Sequence, residues 1–302
     1  MEFSRQPFLF VGAAKAGTTS IYHYLKQHPE LHIPKKETFY FLRDIYTDNA
    51  LEYPYQRSPE DVILDSASYE RLYENTGGKV TGEVGTGYLY HHEQSIPRIK
   101  EVFGEEVNIL IILRDPVERA YSSYNHFVKD MHEPLTFRQA LEEESSRAQQ
   151  GWDFMWHHRA LGCYAQQVRA FLQAFDKVKV LRYDDLKNAP AETMREIFRF
   201  IGVDPSLEVT TEKQFNPSGT PRSAFLQKLL IHDNPLKRLI RPLVRSLMSK
   251  ERRENIRKEL KSMNLRDYEQ MDPELRTELR SYYAQDIREL EALTGLDLSD
   301  WK

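Results

Sequence analysis

Residues 12–19 read Gly-Ala-Ala-Lys-Ala-Gly-Thr-Thr, and Ser20 follows. Two glycines frame a lysine, and three hydroxyl side chains come directly after. Such a loop between a strand and a helix aims main-chain N–H groups and the positive end of the helix dipole at an anion. The glycine spacing is that of nucleotide phosphate loops, in which Gly, four residues and Gly precede Lys and then Ser or Thr. Here Thr18 holds the lysine position, and the lysine stands inside the loop as Lys15. The usual reach toward a β- or γ-phosphate is therefore lost. A triphosphate enzyme also needs a magnesium-holding carboxylate after a second strand, whereas Asp115 comes directly behind Arg114. Lys15, Ala16, Gly17, Thr18, Thr19 and Ser20 thus suit one terminal charged group, handled without a metal. The plainer alternative is a tight glycine turn with Lys15 in solvent.

Residues 111–126 read IILRDPVERAYSSYNH. Arg114 stands where a buried strand ends, and a guanidinium held there can grip a phosphate through two parallel hydrogen bonds. Ser122, on the helix that follows, is a second donor. Arg119 is expected to pair with Asp115 or Glu118 and brace the turn. The alternative is an Arg–Asp pair that merely closes a strand–helix turn. Taken together, the two segments fit a ligand with phosphates at both ends of a nucleoside. Two further residues are candidates for that pocket. Tyr164, at a helix start after Gly162, either lines it or packs in the core. Arg222 either reaches the second anion or is a solvated loop arginine. His91, His92 and Glu93 form an adjacent group without distant partners, which is a weak pattern for a metal site, so no metal is expected.

The elements that must carry these residues alternate. Phe8–Ala13 is a continuous apolar run, the mark of a strand buried on both faces, and Val107–Leu113 is the strongest strand signal in the chain. Val178–Leu181 is a third strand and Lys79–Val84 a fourth. Helical spacing covers Gly17–His28, a stretch from Pro116, Tyr164–Phe175 and Thr193–Ile201, with Gly202 suited to a C-cap. Strands alternating with helices predict an α/β fold, a P-loop-like central parallel sheet flanked by helices, with ligands at the carboxyl ends of the strands. Segment 216–222 is a loop by its turn residues, and only helical patterns follow it. The expectation is one domain over 1–302: a nucleotide-binding core over 1–215 and a helical C-terminal extension over 216–302.

The chain has 302 residues, a net charge of −4 and one cysteine, Cys163. A single cysteine excludes an internal disulfide, and the acidic balance argues against general nucleic-acid binding. The short apolar run at the start leads into the loop and lacks the form of a secretory signal. No stretch approaches the ~20 apolar residues of a transmembrane segment, so a cytoplasmic protein is expected. Segment 234–262 carries ten Lys and Arg against three acids, with apolar residues at helical spacing. It reads as a helix on the core, a lid over an acidic glycan or carrier protein, or a membrane-surface helix.

The loop AAKAGTTSI and the segment LRDPVERAYSSYNH resemble the sulfotransferases that use 3′-phosphoadenosine 5′-phosphosulfate (PAPS), in particular the bacterial and heparan-sulfate-type members. The resemblance extends to PKKETFYF (34–41), GEVGTGYLY (82–90) and the C-terminal stretch 282–301. It implies that Lys15, Ala16, Gly17, Thr18, Thr19 and Ser20 hold the 5′ end of PAPS, and that Arg114 and Ser122 hold the 3′-phosphate. It also implies that Glu37 is the catalytic base, with Lys15 stabilising charge on the leaving oxygen. Ala14 replaces a common proline, and Val84 follows Glu83 where heparan-type enzymes often have lysine. In cytosolic members the base is a histidine, whose equivalent the sequence does not locate. Phe39, Tyr40 and Phe41 either desolvate Glu37 or belong to the core, and Glu37 itself can pair with Lys35 or Lys36. The acceptor contacts are expected in the 36–46 loop and around His126. The expected acceptor is a carbohydrate hydroxyl or amine. An acyl chain on a carrier, another lipid or a small molecule is the next alternative. A phosphate-loop kinase and a non-catalytic nucleotide-binding protein are the readings from other classes.

Overall fold

The computed structural model describes residues 3–48, 62–211, 220–223, 263–266 and 269–302. Its centre is a five-stranded, wholly parallel sheet in the order β2-β3-β1-β4-β5. The strands are β1 (Phe8–Gly12), β2 (Leu31–His32), β3 (Val80–Val84), β4 (Asn108–Leu113) and β5 (Val178–Arg182). Every residue of β1, β3 and β4 is buried, as expected of parallel strands covered on both faces. The helices along this part are α1 (Thr18–Leu25), α2 (Arg43–Asp48), α3 (Ser66–Arg71), α4 (His92–Phe103) and α5 (Pro116–Lys129). After these come α6 (Phe137–Glu142), α7 (Glu144–Gln149), α8 (Tyr164–Ala174), α9 (Tyr183–Asn188) and α10 (Pro190–Ile201).

The alternation read from the sequence is present, and helix boundaries agree within a few residues. Gly202 ends α10 in the left-handed conformation at φ 77°, as the C-cap expectation requires. β2 is new: two residues cannot show a period, and Leu31–His32 joins the sheet because Val80 and Thr81 lie beside it.

α11 (Pro273–Thr294) buries Leu275, Leu279, Tyr283, Ile287 and Leu290 along one stripe, the spacing of an amphipathic helix. It packs on α8 and α5. Polar contacts add to this packing. Asp286 accepts from the Tyr164 and Ala165 N–H groups at 2.7 and 3.1 Å, capping α8, and Arg280 pairs with Asp115 at 2.6 Å. The C-terminal region is not purely helical. β6 (Thr220–Pro221) pairs antiparallel with β7 (Leu265–Arg266), and Arg222 N–H donates to the Asn264 carbonyl at 2.6 Å. Two-residue strands carry too little pattern to be read in advance. The basic segment 234–262 lies outside the described residues, as does most of the 216–222 loop.

Candidate active site

β1 and β4 are adjacent, so the loops that leave their carboxyl ends lie side by side. Ala13 N–H donates to the Ile112 carbonyl at 2.7 Å, which ties the 12–19 loop to the end of β4. The two segments singled out by sequence therefore lie together at the carboxyl ends of the inner strands, where open parallel sheets bind ligands.

The loop enters α1 through Gly17, at φ 86° and with no side-chain cap. The first-turn amides of a helix have no intrahelical acceptor, so they present donors together with the dipole. A Cβ on Gly17 would lie 2.9 Å from the Tyr183 ring, so glycine answers both to the backbone angle and to the close approach. Thr18 and Ala16 are buried, whereas Lys15, Thr19 and Ser20 are partly exposed.

Lys15 lies among charges. Burial pushes its ammonium down to about 8, and Lys129 and Arg114 push the same way, against Asp130 and Glu37. Arg114 donates through Nη1 to the Lys15 carbonyl at 3.3 Å, and its guanidinium lies 5.0 Å from the Tyr183 ring centre. Tyr183, the first residue of α9, thus touches both anion loops. The sequence analysis missed it, and its only signal was its place directly after a strand.

α5 starts from Asp115, which accepts from the Val117 and Glu118 N–H groups at 2.9 and 3.4 Å, with Pro116 as its first residue. Arg119 pairs with neither expected acid. Asp115 binds Arg280 and Glu118 binds Arg276, whereas Arg119 is fully buried and donates to the His158 carbonyl. The C-terminal helix took the acids, which local spacing does not reveal. Ser122, His126 and Lys129 follow at helical spacing and share a face.

His126, expected from the sequence to lie near the acceptor, stands beside Lys15. Burial, then the positive charges of Lys15 and Lys129, push its imidazole down to about 3. It is a neutral base beside Lys15, with Asp130 3.8 Å from its Nδ1.

Glu37 joins the same cluster: its charge reaches Lys15 and it pairs with Lys36. The side chain remains 25% exposed within that pair. Its backbone is left-handed at φ 58°, and its N–H donates to the Val84 carbonyl at 3.1 Å. Phe39, Tyr40 and Phe41 belong to the core, where Tyr40 stacks on Tyr69 at 4.0 Å.

Of the two readings of Tyr164, the structure supports core packing: it is fully buried, and its hydroxyl donates to the Arg114 carbonyl at 3.0 Å and supports the arginine from beneath. Arg222 is exposed, on the strand pair that packs beside α5. His91 is packed edge-on against Phe154 at 5.3 Å. Among the described residues no group of three or more His, Cys, Asp or Glu side chains is arranged to hold a metal.

A parallel sheet with two cationic loops at neighbouring strand ends defines an α/β fold with a candidate anion site. The chain belongs to the sulfotransferase family, whose model matches residues 7–206, and is thus a group transferase. A sulfotransferase from Alicyclobacillus acidocaldarius has the same fold, with a TM-score of 0.72, 29% identity and 98% of each chain covered. Among curated relatives, the mouse bifunctional heparan sulfate N-deacetylase/N-sulfotransferase 4 is 26% identical over 97% of this chain. The human enzyme 3 of the same description is also 26% identical over 97%. The chain spans only 31% of the length of each of these two relatives. Among the described residues no helix is long and apolar enough to cross a membrane.

Proposed function

We propose that this sulfotransferase uses PAPS as donor and a carbohydrate hydroxyl or amine as acceptor, with the loop around Lys15 and the Arg114–Ser122 segment holding opposite ends of the donor. The observation that carries the reading is the direct contact of the two segments, Arg114 against the Lys15 carbonyl. The residues fit such a donor. The uncapped α1, Lys15 and the hydroxyls of Thr19 and Ser20 suit the 5′ end; Arg114 and Ser122 suit a 3′-phosphate. PAPS supplies the sulfuryl group. Lys15 holds charge that develops on the 5′-phosphate side, and Glu37 takes the acceptor proton.

Heparan-type relatives favour a glycan amine over an acyl carrier or lipid. A second reading of the base has its own support: His126 is neutral and next to Lys15. The class is tested by calorimetry with 3′-phosphoadenosine 5′-phosphate (PAP) and with ATP, then by labelled PAPS offered to N-deacetylated heparan, other glycans, lipids and acyl carriers. Tight PAP binding and label on a glycan are expected. Binding of ATP but not of PAP would point to a kinase instead, and PAP binding without transfer to any acceptor would point to a non-catalytic protein.

Lys15 also predicts a pH dependence. The free lysine, lowered to about 8, loses its proton above that pH, while a bound anion favours the charged form and raises it. PAP affinity is therefore insensitive to this group at pH 7 and below. It falls by up to about tenfold per pH unit above pH 8, since one proton must be taken up on binding. Calorimetry at pH 8 in buffers of different ionisation enthalpy is expected to show about half a proton taken up, and none in Lys15→Met.

A further inference from the structure

The Glu83 carboxylate is fully buried, in the middle of the sheet, and among the described residues it has no ion pair. It collects four donors instead. Oε1 accepts from Thr38 N–H at 3.0 Å, Thr38 Oγ1 at 2.7 Å and Tyr88 OH at 2.6 Å, and Oε2 accepts from Tyr69 OH at 3.0 Å. Burial pushes the acid up, and these bonds oppose that push. A buried carboxylate without a cation is costly, and an apolar side chain of like size would pack there more cheaply.

The place of this group suggests what it is for. Two of its four bonds end on Thr38, the neighbour of Glu37. The 36–39 segment sits on the end of β3 in an unusual conformation. Glu37 and Phe39 are both left-handed, at φ 58° and 55°, a region that costs a non-glycine residue roughly 1 kcal/mol or more. The segment is held by the Glu37 N–H on the Val84 carbonyl, the Ile63 N–H on the Thr38 carbonyl at 2.9 Å, and the Glu83 carboxylate on Thr38. Of these, only the carboxylate can hold both the amide and the hydroxyl of Thr38. Oγ1 of Thr38 in turn accepts from Tyr40 N–H at 3.2 Å, which starts the short helical turn Tyr40–Leu42. Remove the acceptor, and the Thr38 amide is orphaned in the core, free to drag Glu37 out of its strained pose.

We infer that Glu83 is a positioning residue: it fixes the backbone at Glu37–Thr38, so that the Glu37 carboxylate is presented to Lys15 and the acceptor. This rests on the reading of Glu37 as base.

The test uses Glu83→Met, which keeps length and removes the acceptors, and Glu83→Gln, whose amide can accept from Thr38 and Tyr88 and donate to Tyr69. Turnover is read with labelled PAPS and N-deacetylated heparan, or whichever acceptor fraction takes the label. Glu83→Met is expected to lower kcat about 10–100-fold, part of the loss of a general base, with PAP affinity little changed. Glu83→Gln restores most of it. In a Glu37→Gln background, Glu83→Met costs nothing further.

A readout independent of activity accompanies this. The Lys15 Cε resonance titrates at a lower pH in Glu37→Gln, since the carboxylate that raises it is gone. Glu83→Met shifts the midpoint the same way, and the double variant shifts it no further. Should Glu83→Met fail to fold, Thr38→Val and Tyr88→Phe each remove one donor and are expected to show the same pattern at smaller size.

The inference is overturned by equal losses from Glu83→Met in the wild-type and Glu37→Gln backgrounds, by a loss of PAP affinity that matches the loss of turnover, or by a Lys15 midpoint that Glu83→Met leaves in place. Failure of the base assignment has a different signature: Glu37→Gln alone retains full turnover.

Discussion

Glu37→Gln lowers kcat for sulfuryl transfer by about 10²–10⁴-fold, the range of a positioned general base, and leaves the Kd for PAP little changed. The two effects separate because Glu37 reaches Lys15 only through its charge, whereas the proposed 5′ cradle consists of the loop, the α1 amides and Lys15 itself. Glutamine keeps the shape of the side chain and its left-handed backbone, but cannot accept a proton. Two assays decide it: labelled PAPS turnover at saturating donor, and calorimetry with PAP. The competing base, His126, gives the opposite result. Were it to carry the proton, His126→Asn would show the large loss and Glu37→Gln would turn over normally. Its imidazole, held at about 3, stays neutral through the whole working range, so no acidic limb near pH 6.5 is expected from it.

Arg114→Ala is expected to weaken PAP by roughly 10²–10⁴-fold. Two charge-assisted bonds to one phosphate contribute on the order of 1.5–3 kcal/mol each, and each 1.4 kcal/mol is about tenfold in Kd. Part of the loss belongs to the loop, since the same guanidinium holds the Lys15 carbonyl and lies against Tyr183. Arg114→Lys separates the contributions: it keeps the charge, loses the planar fork and the ring contact, and is expected to fall between wild type and alanine. Thermal unfolding in the absence of nucleotide shows whether the fold survives. PAP affinity unchanged in a well-folded Arg114→Ala would remove this residue from the nucleotide site.

The strands were legible because β1 and, after Asn108, β4 are apolar and covered on both faces, and such runs have few other fates. The two anion segments were legible because their chemistry is local: glycines, a lysine and hydroxyls within nine residues, and Arg114 at a strand end. The pairing partners were not legible. Arg119 looked bound to Asp115 or Glu118 by spacing, yet α11, more than 150 residues downstream, supplies Arg280 and Arg276 to those acids. Position left Tyr164 open between the pocket and the core, and its ring is buried because α11 caps and covers the start of α8.

Residue types and short spacings by themselves determined the alternating α/β order, the phosphate-type loop and the strand-end arginine, since each depends on neighbours within one turn or one strand. Only the folded chain decided that these loops touch, that His126 and Lys129 face Lys15, that Tyr183 stands between the anion loops, and that Glu83 gathers Thr38, Tyr69 and Tyr88. Those relations depend on strand order and on which helix covers which turn. Hydrogen bonds and charges act over a few ångströms in space, whatever the distance along the chain.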